Sequence, residues 1–392
     1  QEILGQTDAQ KAFSCRGKRN CNFALDKCLR FREIELVKKE LQFFIDKKVP
    51  QVKFVDRTFN CRHDHAMAIW TYIHEHDNGI TNFHFEVSAD LLNEKEIALI
   101  NRMRPGLIQL EIGVQSANEI TIREINRTMK IDVLSTIVDK IKKGNNVHQH
   151  LDLIAGLPYE GYESFGKSFD RVYKMNPEQL QLGFLKVLKG SVMHDRAQEY
   201  GIVYQDRAPY EVLSTKWLTY AEVIRLKQIE EMVEVYYNSG QFCCTMAALE
   251  QEFASPFCMY ECLAAYYDEK NAFAVSHSRI GRYEILYDFI VKTCKERSEQ
   301  YMEMLTLDMY LRDNVKKRPE FLRESGVSSD EAAAFYKKEE KERTYLKAYE
   351  GYDRRQMRKM THLERIDGKT VLFDYKNRDP LTGNAAIYYL SE

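Results

Sequence analysis

The residues most informative about the fold are Leu110-Glu-Ile-Gly-Val-Gln-Ser116, and Asp152-Leu-Ile-Ala-Gly-Leu-Pro158 follows them one strand later along the chain. Each stretch is an apolar run typical of a buried parallel strand, and each gives way to small or polar residues where the strand should end. In α/β barrels the carboxyl ends of the strands form the face that binds ligands. The two stretches therefore predict a parallel sheet with a ligand site at this edge.

The pattern around these stretches is an alternation of short apolar runs and amphipathic helical patterns, from Glu33 to Met193. Alternation at this spacing predicts right-handed crossovers and an α/β fold with a parallel sheet. The predicted helices are 33–47, 65–76, 93–103, 132–144 and 162–175, and the predicted strands are 52–55, 83–87, 108–114, 148–154 and 179–185, with a short sixth strand at 12–15. We therefore predict a partial parallel (β/α)6 barrel resembling an incomplete TIM barrel.

The pattern changes after Gly190, where helices dominate. The predicted helices are 212–238, 256–270, 282–296 and 328–349, and the predicted strands of a small terminal antiparallel sheet are 363–366, 369–375 and 385–390. Ser328 and Glu331 fit a capping box, and Asp367-Gly368 is a hairpin signal. We predict two domains, a barrel over 1–193 and a mostly helical domain over 194–392.

Composition narrows the class of protein. Over 392 residues the net charge is −2, which gives no support for nucleic-acid binding, and no apolar run is long enough to span a membrane. Nine cysteines, an odd number, without a secretory signal indicate a reducing cytoplasm and no disulfide framework. Because a strand is expected before the first cysteine loop, we predict that the chain, which starts at Gln1, is a piece of a longer protein.

Polar residues recur at the ends of the predicted strands. They include Glu86 and Ser88 around the end of one strand, Glu111 and Gln115 flanking the end of the next, and His148, His150 and Asp152 along the following one. A charged residue inside a buried parallel sheet is costly unless it is paired. Each residue alone is equally compatible with a satisfied core hydrogen bond, but their recurrence at one edge favours a ligand site.

Three segments together resemble the radical S-adenosylmethionine (SAM) superfamily: Gly113-Val-Gln-Ser116, Arg127, and Asp152-Leu-Ile-Ala-Gly-Leu-Pro158. The similar branch includes oxygen-independent coproporphyrinogen oxidase and cobalamin-dependent members. With its helical tail, the chain resembles bacterial cobalamin-binding radical SAM proteins whose carboxy-terminal domain has no assigned function.

The resemblance implies a role for each matching residue in binding SAM. Glu86 matches an acidic residue that approaches the amino group, Gln115 and Arg127 match residues that contact the ribose and the carboxylate, and Asp152 matches a residue that binds a ribose hydroxyl. The residue types suit these groups, since carboxylates and amides bind hydroxyls and arginine binds a carboxylate. With Ser88 and Glu111 beside them, and Gly156 allowing the backbone to approach the adenine, these residues form the predicted cofactor site.

The cysteine loop departs from the family pattern. In the superfamily, Cys-x-x-x-Cys-x-x-Cys holds three irons of a 4Fe–4S cluster. In this chain Cys15, Cys21 and Cys28 are separated by five and six residues, and Lys18 and Ala24 stand where the first and third cysteines are expected. Either the three thiols bind a cluster through a looser loop, or no cluster forms.

Two main hypotheses follow from the resemblance. The first is a radical SAM enzyme acting on a small molecule, with a reductant such as flavodoxin or ferredoxin and with cobalamin-dependent methyl transfer as the leading reaction if a cobalamin domain precedes Gln1. The second is a module that binds SAM or a nucleotide without a cluster. A barrel used only to dock a partner is a third option and predicts no cofactor affinity.

Four further cysteines raise the possibility of a zinc site: Cys243, Cys244, Cys258 and Cys262. Because the residues around the second pair are apolar and free cysteine is commonly buried, core packing is the favoured interpretation.

Overall fold

The computed structural model describes the backbone of residues 2–4 and the residues 30–56, 58–315 and 317–390. The chain forms two compact units, residues 1–233 and 234–392. The division into a barrel domain over 1–193 and a helical domain over 194–392 stays a prediction from the sequence. Among the described helices, none is long and apolar enough to cross a membrane.

The first unit is built on a six-stranded parallel sheet whose strands are neighbours in sequence order. The strands are β1 (Glu2–Leu4), β2 (Gln51–Phe54), β3 (Asn82–Val87), β4 (Ile108–Gln115), β5 (His148–Ala155) and β6 (Gln179–Phe184). The connecting helices are α1 (Ile34–Asp46), α2 (His63–Glu75), α3 (Glu94–Ile100), α4 (Glu119–Glu124), α5 (Ile131–Lys142) and α6 (Tyr162–Tyr173). The predicted parallel α/β sheet is confirmed, with its five main strands close to their predicted positions.

The strand before the cysteine-containing segment is β1, which pairs in parallel with β2. The expected strand at 12–15 lies outside the described residues. The premise that a strand was missing ahead of the cysteine loop is therefore wrong, because Glu2–Leu4 occupies that place in the sheet.

The sheet has one apolar and one polar face. In β4 the residues Ile108, Leu110, Ile112 and Val114 are buried, and the alternate residues Gln109, Glu111, Gly113 and Gln115 are partly exposed. On β5 the Gln149 amide donates to the carbonyl oxygen of Val138 in α5, so this residue faces the helices. Because side chains alternate along a strand, His148, His150 and Asp152 face the opposite side. The polar residues of β4 and β5 therefore lie on one face of the sheet as well as near one edge of it.

The predicted helix at 212–238 is wrong at its start. Val212–Ser214 forms strand β8, which pairs with β7 (Val203–Tyr204), because the Val212 side chain packs into an apolar cluster with Leu185. Helix α8 (Tyr220–Val233) begins after Thr219, whose hydroxyl accepts a hydrogen bond from a helix amide. A short helix, α7 (Val192–Asp195), precedes β7.

The second unit is mostly helical and ends in an antiparallel sheet. Its helices are α9 (Cys243–Leu249), α10 (Pro256–Glu269), α11 (Arg279–Thr293), α12 (Ser298–Arg312), α13 (Ser329–Glu342) and α14 (Arg354–Met360), and its strands are β9 (Thr361–Ile366), β10 (Lys369–Arg378) and β11 (Ala385–Tyr389). The predicted terminal sheet is confirmed, with Asp367 and Gly368 at positive φ in the hairpin.

Helix α13 has the predicted capping box but not the predicted length. The Ser328 hydroxyl accepts from the Glu331 amide, and the Glu331 carboxylate accepts from the Ser328 amide. The helix ends at Glu342, not at Tyr349, because Arg343 adopts the left-handed conformation. A left-handed residue after a helix stops its hydrogen-bond pattern.

Candidate cofactor site

The carboxyl ends of β4 and β5 bring Asp152 and Gln115 together. One Asp152 oxygen accepts from the Val114 amide at 2.8 Å, and the other accepts from the Gln115 side-chain nitrogen at 2.9 Å. The register shifts between Gly113 and Gln115, and Gln115 has a φ of 70°. This bulge directs the Gln115 side chain back toward Asp152, since a bulge redirects the side chains of a strand.

Arg127 joins the same group from the loop after α4. Its guanidinium donates to the carbonyl oxygen of Gly113. A Cβ at Gly113 would lie 3.0 Å from the Gln115 side-chain nitrogen and 3.2 Å from a guanidinium nitrogen of Arg127. A side chain at Gly113 would therefore crowd the ends of the Gln115 and Arg127 side chains. Gly113, Gln115, Arg127 and Asp152 are called the strand-end cluster.

Burial raises the pKa of Asp152 to about 6, although the positive charge of Arg127 and the Val114 amide act in the opposite direction. Arg127 itself is exposed. An exposed guanidinium near a carboxylate and an amide is suited to a ligand that carries both a carboxylate and hydroxyl groups.

Gly156 has an explanation within the fold. Its φ is +90°, and a Cβ there would lie 2.7 Å from a methyl carbon of Val212. Both features require glycine at this position. Its predicted role, close approach of the backbone to the adenine, stays a prediction.

The two predicted residues around the end of β3 have different surroundings. Glu86 is paired in register with Glu111 of the neighbouring strand. The Ser88 hydroxyl donates to Asp90 at 2.6 Å, and its backbone is held at both N–H and C=O by the side chain of Asn60. Asn60 is fully buried and was missed from the sequence, because nothing in a single asparagine after a strand separates it from an ordinary loop residue.

Glu111 lies lower on the polar face than the strand-end cluster. Its carboxylate bonds to the His84 ring nitrogen at 2.9 Å and to the Lys53 ammonium at 3.2 Å. The hydrogen bond to His84 lowers its pKa to about 2, in spite of its partial burial. Glu111 is therefore an ionised carboxylate paired inside the sheet, in a different setting from Asp152.

His148 and His150 on β5 are mostly neutral at pH 7. Burial lowers the pKa of both imidazoles, that of His148 to about 4. His148 lies 3.1 Å from the Gln109 side chain, whereas the Nε2 atom of His150 is buried and has no hydrogen-bond partner in the described part of the chain. Glu111 of β4 and His150 of β5 are opposite each other in register. The unsatisfied imidazole nitrogen therefore belongs to a residue next to Glu111 and two residues before Asp152 on β5.

A buried carboxylate that sequence reasoning missed supports the loops above β4 and β5. Glu160 accepts from the hydroxyls of Ser116 and Ser168 at 2.8 and 2.7 Å, and the Ser168 hydroxyl accepts from the Ala117 amide. Burial raises the pKa of Glu160. The network ties the end of β4 to α6, and its only sequence signal was an acidic residue shortly after the Gly-Leu-Pro turn.

The predicted cluster ligands Cys15, Cys21 and Cys28 lie outside the described residues. The four later cysteines do not meet as one group among the residues described. Cys243 and Cys244 lie with Asp308, while Cys258 and Cys262 stay apart from them on α10. The four-thiol zinc site, which the sequence disfavoured, is therefore not formed among the described residues.

Comparison with known proteins gives two family matches. Residues 19–172 match the radical SAM superfamily, and residues 198–380 match DUF4080, a family of proteins of unknown function. A 107-residue segment is 29% identical to oxygen-independent coproporphyrinogen III oxidase of Salmonella typhimurium, covering 26% of this chain and 23% of that protein. The chain thus spans about a quarter of the length of the curated relatives it matches.

Two solved structures with distant likeness are radical SAM proteins. The methyltransferase TsrM from Kitasatospora setae, with cobalamin and a [4Fe–4S] cluster bound, has a TM-score of 0.42 at 13% identity, covering 51% of this chain and 41% of that one. The cobalamin-dependent SAM radical enzyme OxsB has a TM-score of 0.42 at 12% identity, covering 74% and 51%. The family matches therefore assign residues 19–172 to a radical SAM-type domain and residues 198–380 to a DUF4080 domain.

Proposed function

We propose that the strand-end cluster binds S-adenosylmethionine and that the chain is a radical SAM enzyme acting on a small molecule. The observation that carries this proposal is the convergence of Asp152, Gln115 and Arg127 around Gly113, at the carboxyl ends of two adjacent parallel strands. Ligands of open α/β sheets bind at this end of the strands.

Each residue of the cluster has a distinct role in the proposal. Asp152 accepts a hydrogen bond from a ribose hydroxyl while the Val114 amide and Gln115 hold its orientation. Arg127 offers its remaining N–H groups to the SAM carboxylate, and Glu86 faces the ammonium. These pairings match a charged or polar group of the chain to each polar group of the ligand.

The 4Fe–4S cluster would be held by Cys15, Cys21 and Cys28. When bound and reduced by a partner such as flavodoxin or ferredoxin, such a cluster supplies the electron that cleaves SAM to a deoxyadenosyl radical. The three ligands lie outside the described residues, so the described part of the chain contributes the SAM side of the site only.

The polar face below the cluster is proposed to receive the substrate. His150 offers an unpaired ring nitrogen, and the Glu111–Lys53 pair reaches the partly exposed part of this face. A neutral imidazole hydrogen-bonds a substrate without adding charge near a radical. Methyl transfer with cobalamin is the proposed reaction type, with cobalamin supplied by a further domain.

The second candidate is a SAM-binding module that holds no cluster. The observation that favours it is the cysteine segment, where Lys18 and Ala24 stand in the positions of two family cysteines. A single cysteine at a family position is too few for a cluster that requires three.

Anaerobic reconstitution with iron and sulfide distinguishes the two candidates. The enzyme predicts about four irons per chain and release of deoxyadenosine from SAM, with Cys21→Ser losing both and Asp152→Ala keeping the iron but losing deoxyadenosine. The module predicts SAM binding without iron. A chain that neither holds iron nor binds SAM would contradict both candidates.

A further inference from the structure

The second unit contains a group of metal-ligand side chains that the SAM site does not use. Cys243, Cys244 and Asp308 bring two sulfur atoms and one carboxylate oxygen within 4.8 Å of one another. Among the described residues, this is the group of three or more His, Cys, Asp or Glu side chains whose ligand atoms all lie within this distance of one another.

Asp308 is fixed in place before any ion arrives. It comes from the last turns of α12, is 1% exposed, and accepts from the Cys244 and Thr245 amides at 2.9 and 2.8 Å. Capping of the α9 amides explains why a carboxylate is buried at position 308. These two hydrogen bonds use one acceptor position on each carboxylate oxygen. An ionised carboxylate has about four such positions, and one of those that remain accepts a hydrogen bond from the Cys243 thiol.

Helix capping does not account for the two thiols. The Cys243 thiol donates to an Asp308 oxygen at 3.8 Å, lies 3.7 Å from the Gly240 carbonyl oxygen and is on the exposed side of the group, while Cys244 is half-buried. Two ligands of a tetrahedral zinc ion, a sulfur at about 2.3 Å and an oxygen at about 2.0 Å, are about 3.5 Å apart. The observed separation therefore needs only a small movement of an exposed side chain.

An unsatisfied hydroxyl lies at the same place. The Thr245 side chain is fully buried and its oxygen has no hydrogen-bond partner among the described atoms, while its own amide is bonded to Asp308. Buried hydroxyls are normally paired. A water molecule on a metal ion held by the three ligands would complete a tetrahedron and supply such a partner.

We propose that Cys243, Cys244 and Asp308 form a binding site for a thiophilic divalent cation of the zinc class. Two thiolates and one carboxylate bind the ion and a water takes the fourth position, so the complex carries a net charge of −1. Binding releases a proton from each thiol. The exposed Cys243 side gives the ion access.

The test is a titration with Cd²⁺, whose thiolate complexes absorb in the ultraviolet, followed by competition with Zn²⁺. The full chain is used with Cys15, Cys21 and Cys28 replaced by serine, under anaerobic conditions with a reductant that contains no thiol. We expect one Cd²⁺ per chain with a thiolate-to-metal band, and an affinity lowered at least about tenfold in Cys243→Ser and Cys244→Ser.

The matched control is the double variant Cys258→Ser and Cys262→Ser, whose thiols lie one helical turn apart on α10. It should keep the band and the affinity. Asp308→Asn should weaken binding, and if this buried variant does not fold, Cys243→Ser decides because Cys243 is exposed. Equal Cd²⁺ affinity in Cys243→Ser, or loss of binding in the control, would overturn the proposal.

Discussion

Replacing Asp152 with asparagine should stabilise the first unit and weaken SAM binding at the same time. Burial raises the pKa of Asp152 from 3.8 to about 6, so the native state disfavours the ionised form. At about 1.4 kcal/mol per pKa unit the full effect is about 3 kcal/mol. Because Asp152 keeps some exposed surface, solvent screening reduces this to about 1–2 kcal/mol.

The sign of the pH dependence follows from proton binding. Between pH 3.8 and about 6 the native state holds the proton on Asp152 more tightly than the unfolded state does, so the free energy of unfolding falls as pH rises through this range. An asparagine side chain at this position has no charge to bury. Asp152→Asn should therefore be more stable than the natural chain at pH 8 and equal to it below pH 4.

The assay is urea unfolding followed by tryptophan fluorescence at pH 4 and pH 8. Both tryptophans of the chain, Trp70 and Trp217, lie in the first unit, so the signal reports that unit alone. Asp77→Asn is the matched control: burial raises the pKa of Asp77, but the hydrogen bonds from Arg104 and the Gly79 amide and the positive charge of Arg104 together outweigh burial and lower it. This variant should lose stability at pH 8.

A lower stability of Asp152→Asn than of the natural chain at pH 8, or an equal stability advantage at pH 4, would contradict a buried charge at Asp152. SAM affinity gives the second readout. In the natural chain it should rise from pH 5 to pH 7 as Asp152 ionises, and this rise should be absent in Asp152→Asn.

Three further predictions concern the residues that support the site, each measured by the same unfolding assay. Gly156→Ala should lower the free energy of unfolding by at least about 1–2 kcal/mol because of the positive φ at this position and the contact with Val212. An unchanged free energy of unfolding would show that the turn accommodates a Cβ without strain. Ser168→Ala should cost about 1–3 kcal/mol because it removes one donor to Glu160 and the acceptor of a buried amide, and a change below about 0.5 kcal/mol, the range typical of surface substitutions, would argue against the network. Glu111→Gln should lower stability at pH 7 by about 1–2 kcal/mol, with the difference shrinking as pH falls below 4.5 toward 2; a difference independent of pH would contradict the ion pairing.

The sheet was predictable from the sequence because its signals are local. The apolar runs in the sequence mark the extent of β4 and β5, and small or polar residues mark the ends of these two strands. The convergence of Gln115 and Asp152 on neighbouring strands follows from parallel pairing alone. The bulge that turns Gln115 toward Asp152 left no sequence signal that separates it from a regular strand.

The parts that were missed depend on contacts between distant segments. Val212 lies in a stretch with a helical pattern, but packing against Leu185 makes it a strand residue. Helix α12 was not predicted because its buried residues surround it on several sides, Asp308 among them, so no single apolar stripe marks it. Tertiary burial of this kind overrides local propensity.

Equilibrium dialysis of SAM against the full chain measures whether the strand-end cluster binds this cofactor. We expect about one SAM per chain, with an affinity at least about tenfold lower in Asp152→Ala, the loss expected for a hydrogen bond to a charged group. Asp139→Ala, on the exposed face of α5, should bind as the natural chain does. Equal affinity in Asp152→Ala, or no SAM binding by the natural chain, would contradict the assignment of the strand-end cluster.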